Sequence, residues 1–308
     1  MISLKKYKLC FLFLFTFTTK VTSADPYLII LGTAQDGGYP HMGCTKLGCN
    51  LAWKYDSLRR YVVSFALVDS NAKKWWLFEA TPDIKYQLQL FRNLTYEKYA
   101  YLPSGIFITH AHIGHYTGLM QLGREVMDTK EIPIYCLPKM KLFLETNGPW
   151  SQLVKLKNIV IHPLNIDSAL SLSKGIGIET FTVPHRDEYS ETGGFRIITS
   201  KKRYLFIPDI NKWEKWDKNI VDEVKKVDYA LLDATFYEAD ELPNRKIIEV
   251  PHPLMTETMG LFKKESDVVK SKIYFIHFNH TNPVLWDANF KANVKTKGFN
   301  ISEQGEKL

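Results

Sequence analysis

The chain has 308 residues, 45% of them hydrophobic and 24% charged, so it can bury a large core, and its composition excludes a disordered chain. Its formal net charge of +7 falls to +3 when the first 24 residues, which hold four lysines and no acid, are set aside. A charge so close to neutrality offers no electrostatic basis for binding nucleic acid, so we expect none as a partner.

The first 24 residues have the order of a secretory signal peptide. Three lysines form a basic start, an apolar run follows over 9–17, and small residues precede Asp25. The apolar run is too short for a membrane-spanning helix, which needs about 20 residues. The alternative is a buried N-terminal strand, which does not require the basic flank. We therefore expect a mature chain, 25–308, that is exported to the periplasm or the medium and has no membrane span.

Apolar runs and turn residues divide the mature chain into short strands and helices, with a glycine-rich turn at 32–38. Strands are predicted at 27–31, 61–68, 74–79, 105–109, 159–163, 176–183, 194–199, 204–207, 229–233 and 272–277. Helices are predicted at 84–91, 117–127, 213–227 and 256–265. Because no linker rich in Pro, Gly or Ser divides the chain, we expect one α/β domain with two sheets sandwiched between helices.

The most informative segment is 109–115, Thr-His-Ala-His-Ile-Gly-His, which lies between a predicted strand and a predicted helix. Imidazole is the commonest metal ligand, and three histidines so close together are difficult to explain by packing. His110 and His112 lie two residues apart in extended chain, so their side chains point the same way and can bind one ion. His115 follows a bend and faces a second ion position.

This segment is similar to the His-x-His-x-Asp-His signature of the metallo-β-lactamase superfamily. Later parts follow in that family's order: His185 in Val-Pro-His, Asp209 closing Tyr-Leu-Phe-Ile-Pro-Asp, and His277 closing Ile-Tyr-Phe-Ile-His. The resemblance covers about residues 27–285. It implies an αββα sandwich with a zinc site at one edge.

The resemblance also implies a role for each ligand. A tightly bound first zinc ion would be held by His110, His112 and His185. Asp209 would bridge this ion to a second one, which His115 and His277 would also hold.

One position departs from the signature, because Gly114 stands where the superfamily has Asp, a ligand of the second ion. Glycine offers no side-chain ligand, so we expect the second ion to bind more weakly than the first, or another carboxylate to complete its site. Asp36, in the glycine-rich turn, is a candidate. On this view, Gly114→Asp should raise the metal content towards two ions.

Within the superfamily, the chain resembles the group of pyrroloquinoline quinone biosynthesis B proteins. The shared segments are Leu-Gly-Thr-Ala-Gln-Asp-Gly-Gly-Tyr-Pro, Arg-Arg-Tyr-Val-Val-Ser, Ala-Thr-Pro-Asp-Ile and Asn-His-Thr-Asn-Pro. The ligand set resembles instead that of hydrolytic relatives, such as ribonuclease Z and the phosphodiesterase of phosphonate breakdown. This chain keeps the histidines of the first motif, which the quinone group tends to have lost.

These features predict a zinc-dependent hydrolase that attacks a small-molecule ester or phosphodiester with a metal-activated hydroxide. The predicted catalytic residues are Asp209 and His252, since hydrolytic relatives place a proton-donating histidine in the interval after the bridging carboxylate. For His252, a surface turn between prolines is the alternative. Two other functions stay open: an oxidative enzyme with iron in the same site, and a binding protein on a degenerate enzyme fold.

The resemblance implies a separate structural zinc as well. Relatives hold a zinc with a cysteine cluster in the N-terminal loop and a histidine three residues after the last active-site ligand, which implies Cys44, Cys49 and His280 here. Lys46 stands where the relatives have a third cysteine, and we take His41 as the fourth ligand. The alternative is a Cys44–Cys49 disulfide, which an exported protein favours.

Export leads to a first testable prediction. N-terminal sequencing of the native protein, recovered from the periplasm or the medium, should show a chain that begins near Asp25. A native protein that retains Met1 would contradict the assignment of the first 24 residues as a cleaved signal.

Overall fold

The computed structural model describes residues 24–166, 168–242, 246 and 249–308. The predicted signal peptide, apart from its last residue, lies outside the described residues. Within the described part of the chain, no helix is both long and apolar enough to cross a membrane.

The N-terminal half forms a six-stranded sheet from runs rich in β-branched and aromatic residues, which favour extended backbone. In spatial order its strands are β1 (Tyr27–Gly32), β2 (Ser64–Asp69), β3 (Lys74–Phe78), β4 (Ile106–Phe107), β5 (Ile132–Cys136) and β6 (Ile159–Pro163). Strands β1 to β3 pair antiparallel, whereas β3 to β6 pair parallel. All of β2 is buried, as expected for a strand covered on both faces of the sheet.

The C-terminal half forms a seven-stranded sheet in the same manner. In chain order its strands are β7 (Ala169–Ser173), β8 (Ile176–Val183), β9 (Thr192–Thr199), β10 (Arg203–Ile207), β11 (Tyr229–Asp233), β12 (Ile273–Ile276) and β13 (Asn300–Ile301). Strands β7 to β10 pair antiparallel, and β10 to β13 pair parallel. The parallel region matters for function, because the carboxyl ends of β10, β11 and β12 meet at one edge.

Helices cover the outer face of each sheet. Within the described residues they are α1 (Leu47–Lys54), α2 (Ile84–Leu94), α3 (Ile113–Tyr116), α4 (Pro138–Thr146), α5 (Trp150–Lys155), α6 (Ile220–Lys225), α7 (Met255–Leu261), α8 (Asp267–Lys270) and α9 (Ala288–Thr296). Helix α2 shows how they attach: Ile84, Leu88 and Phe91 are buried at helical spacing and pack on the first sheet.

An aromatic core joins the two sheets. Phe65, Phe78 and Phe107 of the first sheet stack on one another, and they meet Phe195 and Phe206 of the second sheet edge to face. All five rings are fully buried. The expected architecture of two sheets sandwiched between helices is therefore confirmed.

Three predicted helices are shorter than the sequence indicated, and the one predicted at 256–265 forms only α7, which ends at Leu261. The segment 117–127 forms only a 3₁₀ helix at Thr117–Leu122, in which Gly118 lies directly against the loop after β3. A Cβ atom at Gly118 would lie 2.8 Å from the carbonyl oxygen of Ala80. The helix ends because Gly123 adopts extended backbone, with a ψ of 170°.

The predicted helix at 213–227 is divided in two. A 3₁₀ turn at Trp213–Lys215 is followed by extended backbone at Trp216, and α6 begins only after Asn219. The Asn219 side chain accepts hydrogen bonds from the backbone N–H groups of Val221 and Asp222, which is a strong helix-start signal. The cap fixes the start of α6 and makes it a separate helix.

Candidate metal centre

The carboxylate of Asp209, in the loop after β10, is buried among five histidine rings, and its side chain is only 2% exposed. Its Oδ2 lies 3.5 Å from His110 Nε2, 3.2 Å from His115 Nε2 and 3.3 Å from His277 Nε2. Its Oδ1 lies 3.4 Å from His185 Nε2 and 3.2 Å from His252 Nδ1. The structure thus brings together residues that are up to 167 positions apart in the sequence.

One group of ligand atoms matches the predicted first metal site. Atoms of His110, His112, His185 and Asp209 all lie within 4.8 Å of one another. His110 Nδ1 contacts the Thr109 hydroxyl at 2.9 Å, which fixes the ring so that Nε2 faces the centre. His110 Nε2 in turn lies 2.8 Å from His112 Nδ1.

A second group of ligand atoms lies next to the first. It comprises Asp36, His115 and His277, whose ligand atoms also lie within 4.8 Å of one another. A third group overlaps with it and combines His277 with Asp209 and His252. The six residues predicted as active-site ligands therefore form one continuous centre, together with Asp36 and His252.

The unpartnered atoms of this centre fit a metal ion. His115 Nε2, His277 Nε2, both ring nitrogens of His185 and Asp209 Oδ1 are buried and have no hydrogen-bond partner. Leaving a buried polar atom unsatisfied costs roughly 1–3 kcal/mol, so native proteins rarely group several of them. A cation that accepts lone pairs from these nitrogen and oxygen atoms would satisfy them together.

The protonation of the first group also suits a metal. Burial lowers the pKa of His185 to about 4, and burial together with the neighbouring His115 lowers the pKa of His110 well below its usual value. Both rings are therefore neutral at pH 7, as a metal ligand must be. Burial alone would raise the pKa of Asp209, but the surrounding imidazoles, His277 first, hold it well below its usual value.

Glu79 was not predicted from the sequence, and it orients His115 through the ring nitrogen Nδ1, away from the metal centre. The Glu79 side chain is fully buried, and its Oε2 lies 3.5 Å from His115 Nδ1. Burial alone would lower the pKa of His115, but the carboxylates of Glu79 and Asp209 raise it well above its usual value. Glu79 follows the apolar strand Trp-Trp-Leu-Phe, and a carboxylate at the end of a buried strand was the available signal.

Two site residues adopt left-handed backbone. Glu79 has a φ of 71° and His277 a φ of 69°, a region that non-glycine residues seldom occupy. Each residue directly follows a strand, β3 or β12, so the unusual turn directs its side chain into the centre. Such strain costs about 1–3 kcal/mol per residue and is concentrated at functional sites.

Asp233 and Thr235 hold His252 and His277 in place. Asp233 Oδ2 lies 2.9 Å from His252 Nδ1 and also accepts the backbone N–H of Ile210. The Thr235 hydroxyl donates to Asp233 Oδ1 at 2.7 Å and lies 2.9 Å from His277 Nδ1. Burial alone would lower the pKa of His252, but Asp233 and then Asp209 raise it. His252 is thus a buried member of the centre, not a surface turn.

The centre opens to solvent beside His112. The His112 side chain is 14% exposed, whereas those of His110, His115, His185 and His277 are at most 2% exposed. Glu188, in the loop between β8 and β9, lies at this opening, with its Oε2 3.1 Å from His112 Nε2. Sequence reasoning did not identify Glu188, because nothing in the sequence specifies where an irregular loop lies.

The residues predicted for a structural zinc lie near one another, but their ligand atoms are farther apart than those of the Asp209 centre. The rings of His41 and His280 are 4.3 Å apart between centroids, and Cys49 is buried. Both thiols are free, and His280 Nδ1 has no hydrogen-bond partner. Across the described residues, the groups with ligand atoms within 4.8 Å of one another all belong to the Asp209 centre. The zinc site at Cys44 stays a prediction.

Comparisons with known proteins agree with this fold. The family model of the beta-lactamase superfamily domain matches residues 74–278. Coenzyme PQQ synthesis protein B of Methylorubrum extorquens (strain PA1) is 24% identical over 305 residues, covering 91% of this chain and 98% of that protein. Among solved structures, zinc-bound PqqB from Methylobacterium extorquens has a TM-score of 0.75 at 22% identity, covering 92% of this chain and 99% of that one. A new diphosphatase from the PhnP family has a TM-score of 0.67 at 19% identity, with coverage of 92% and 97%.

The first group of ligands leads to a second prediction. His112→Ala should weaken metal binding by at least about 10-fold. Removing a residue that only supports a metal ligand already has an effect of this size, and His112 is itself a predicted ligand. Elemental analysis after dialysis against a metal buffer measures this, and circular dichroism checks that the fold is intact. His162→Ala is the matched control, because His162 is an exposed histidine on β6, outside the centre. Full metal occupancy in folded His112→Ala would show that the ligand assignment is wrong.

The Cys44 group leads to a third prediction. Thiol titration of the denatured protein without reductant should find Cys44 and Cys49 both free, and metal analysis should find one zinc that survives His112→Ala. Cys44→Ser should release that zinc and leave the other metal in place. A mass two hydrogens lighter than the reduced chain, with no additional zinc, would show that the disulfide forms instead.

Proposed function

Because the chain belongs to the metallo-β-lactamase superfamily, we propose that it is a zinc-dependent hydrolase that acts on a small-molecule ester or phosphodiester. The observation that carries this proposal is the buried Asp209 carboxylate within a shell of histidines whose ring nitrogens lack partners. Nitrogen donors with one carboxylate form a donor set that zinc readily accepts.

Zinc in such a site lowers the pKa of a coordinated water to about 7 and polarises the scissile carbonyl or phosphoryl group. The protein contributes buried side chains that hold the ligands in position and exclude water from the centre. Asp209 holds the two halves of the site together, and Thr109 orients the His110 ring so that its Nε2 atom points inward. Preorganised groups of this kind reduce the reorganisation that the reaction requires.

The substrate would approach from the side of His112. This side carries Glu188 and its neighbour Arg186, both in the loop between β8 and β9. Arg186 Nη1 lies 3.9 Å from Glu188 Oε1, and both side chains are about half exposed. The two charges offset each other, so this pair does not distinguish a neutral ester from an anionic phosphodiester.

We assign His252 as the residue that gives a proton to the leaving group. Its Nδ1 faces the Asp233 carboxylate at 2.9 Å, an orienting contact that general-acid histidines commonly have. The ring is buried beside Phe236 and lies 5.4 Å from the His185 ring between centroids. A ligand role for His252 is the competing assignment, because its ring also converges with Asp209 and His277.

An oxidative function is the second candidate. It is favoured by the similarity over nearly the whole chain to coenzyme PQQ synthesis protein B, and iron accepts the same histidine and carboxylate donors. We also propose that the enzyme is exported and begins near Asp25. In either function the partner is a small molecule.

The fourth prediction tests hydrolysis directly. The purified protein, loaded with zinc, should hydrolyse aryl esters or bis-aryl phosphodiesters, and a chelator should abolish the activity until zinc is restored. Hydrolysis absent with zinc, but oxygen consumption with iron and a quinone precursor, would favour the oxidative function. Inactivity with either metal on both substrate classes would favour a binding protein.

A leaving-group series then tests the role of His252. General acid catalysis typically contributes 10²- to 10⁴-fold and matters most for poor leaving groups. His252→Ala should therefore slow release of phenol far more than release of 4-nitrophenol, at unchanged metal content. An equal loss for both leaving groups together with loss of metal would instead assign His252 as a ligand.

A further inference from the structure

The space beside Gly114 is occupied by Asp36. A Cβ atom at Gly114 would lie 2.6 Å from Asp36 Cα and closer still to Asp36 Oδ1, so no side chain fits at this position without displacing the turn. The expectation that Gly114→Asp would complete the second metal site therefore does not fit the geometry. The added carboxylate would collide with a carboxylate that is already present.

Asp36 faces the histidines of the second group. Its Oδ1 lies 3.7 Å from His115 Nε2, and its ligand atom converges with those of His115 and His277 within 4.8 Å. The side chains of both histidines are fully buried, and their Nε2 atoms have no hydrogen-bond partner. Asp36 itself is 25% exposed, so it closes the group on its solvent side.

The fold fixes Asp36 in this position through its neighbours. The backbone N–H of Gln35 donates to the carbonyl oxygen of Phe278 at 2.8 Å, directly after His277. Gly38, with a φ of 71°, allows the tight turn in which its N–H donates to the carbonyl oxygen of Gln35. The loop after β1 is thus attached to the end of β12, which holds one of the two histidines.

We propose that Asp36 supplies the carboxylate ligand of the second metal position, in the place of the side chain that residue 114 lacks. The carboxylate ligand is then supplied by the loop after β1 and not by the histidine-rich loop, from a position 78 residues earlier in the chain. Glycine at 114 is then a requirement of this arrangement and does not mark a degenerate site. The inference rests on the proposed metal site and assigns its second carboxylate.

A purely structural role for Asp36 is the rival explanation. Its Oδ1 accepts the backbone N–H of Gly114 at 3.2 Å, which helps to cap α3. Asp36→Asn separates the two roles, because an amide oxygen still accepts that hydrogen bond but binds a metal ion far less well than a carboxylate. Asp56→Asn is the matched control, since Asp56 lies in the same N-terminal region with its side chain 84% exposed.

The experiment is a zinc titration of the metal-free full-length mature protein by calorimetry, with cobalt absorption as a second readout. Asp36→Asn should bind one ion fewer than the wild type, or bind the last active-site ion at least about 10-fold more weakly, with an unchanged melting temperature. Gly114→Ala should have the same effect, because it displaces Asp36. Asp56→Asn should match the wild type.

Two results would overturn the proposal. One is an Asp36→Asn protein whose titration agrees with the wild type within twofold, which would leave Asp36 only its capping role. The other is a wild type that binds a single ion in the Asp209 centre, removed by His112→Ala. Neither result contradicts the proposed hydrolase, because a single ion is enough for hydrolysis. If the wild type shows no hydrolytic activity and Asp36→Asn still loses the second ion, the assignment of Asp36 as a ligand stands and the proposed hydrolase is rejected.

Discussion

The structure depends on the burial of one carboxylate. A lone ionised Asp209 away from water would cost several kcal/mol, so the group is stable there only with partners that favour its charge. Five imidazole rings within 3.5 Å supply part of that compensation, and a bound cation would supply the rest. Because the rings must all reach one point, every strand that ends at this edge is constrained in length and position.

Parallel pairing of strands meets this constraint. Strands β10, β11 and β12 end side by side, which places Asp209, Asp233 and His277 in neighbouring positions. In the other sheet, β3 and β4 end together and bring Glu79 next to the loop of His110. The aromatic core between the sheets holds the two sets of strand ends against each other, so the ligands are positioned before any ion binds.

Apolar runs predicted the layered fold, and the cluster of histidines predicted a metal site, but the resemblance to a known superfamily was needed to join His185, Asp209 and His277 to that site. The histidine-rich loop stands out within six residues, and Asp209 and His277 each follow an unbroken apolar strand. The rest depends on contacts between distant segments. The place of Asp36 beside Gly114 results from a turn that is attached to β12, and Glu79 reaches His115 only through a left-handed residue after β3. Sequence patterns carry no record of such contacts.

Anomalous diffraction at the zinc edge, from crystals of the purified mature chain, tests the central claim most directly. Two anomalous peaks are expected at the Asp209 carboxylate, one beside His112 and His185 and the other beside His115 and His277. A well-ordered Asp209 centre with no anomalous peak in zinc-containing crystals would contradict the claim, because the buried carboxylate would then be held by the histidines alone.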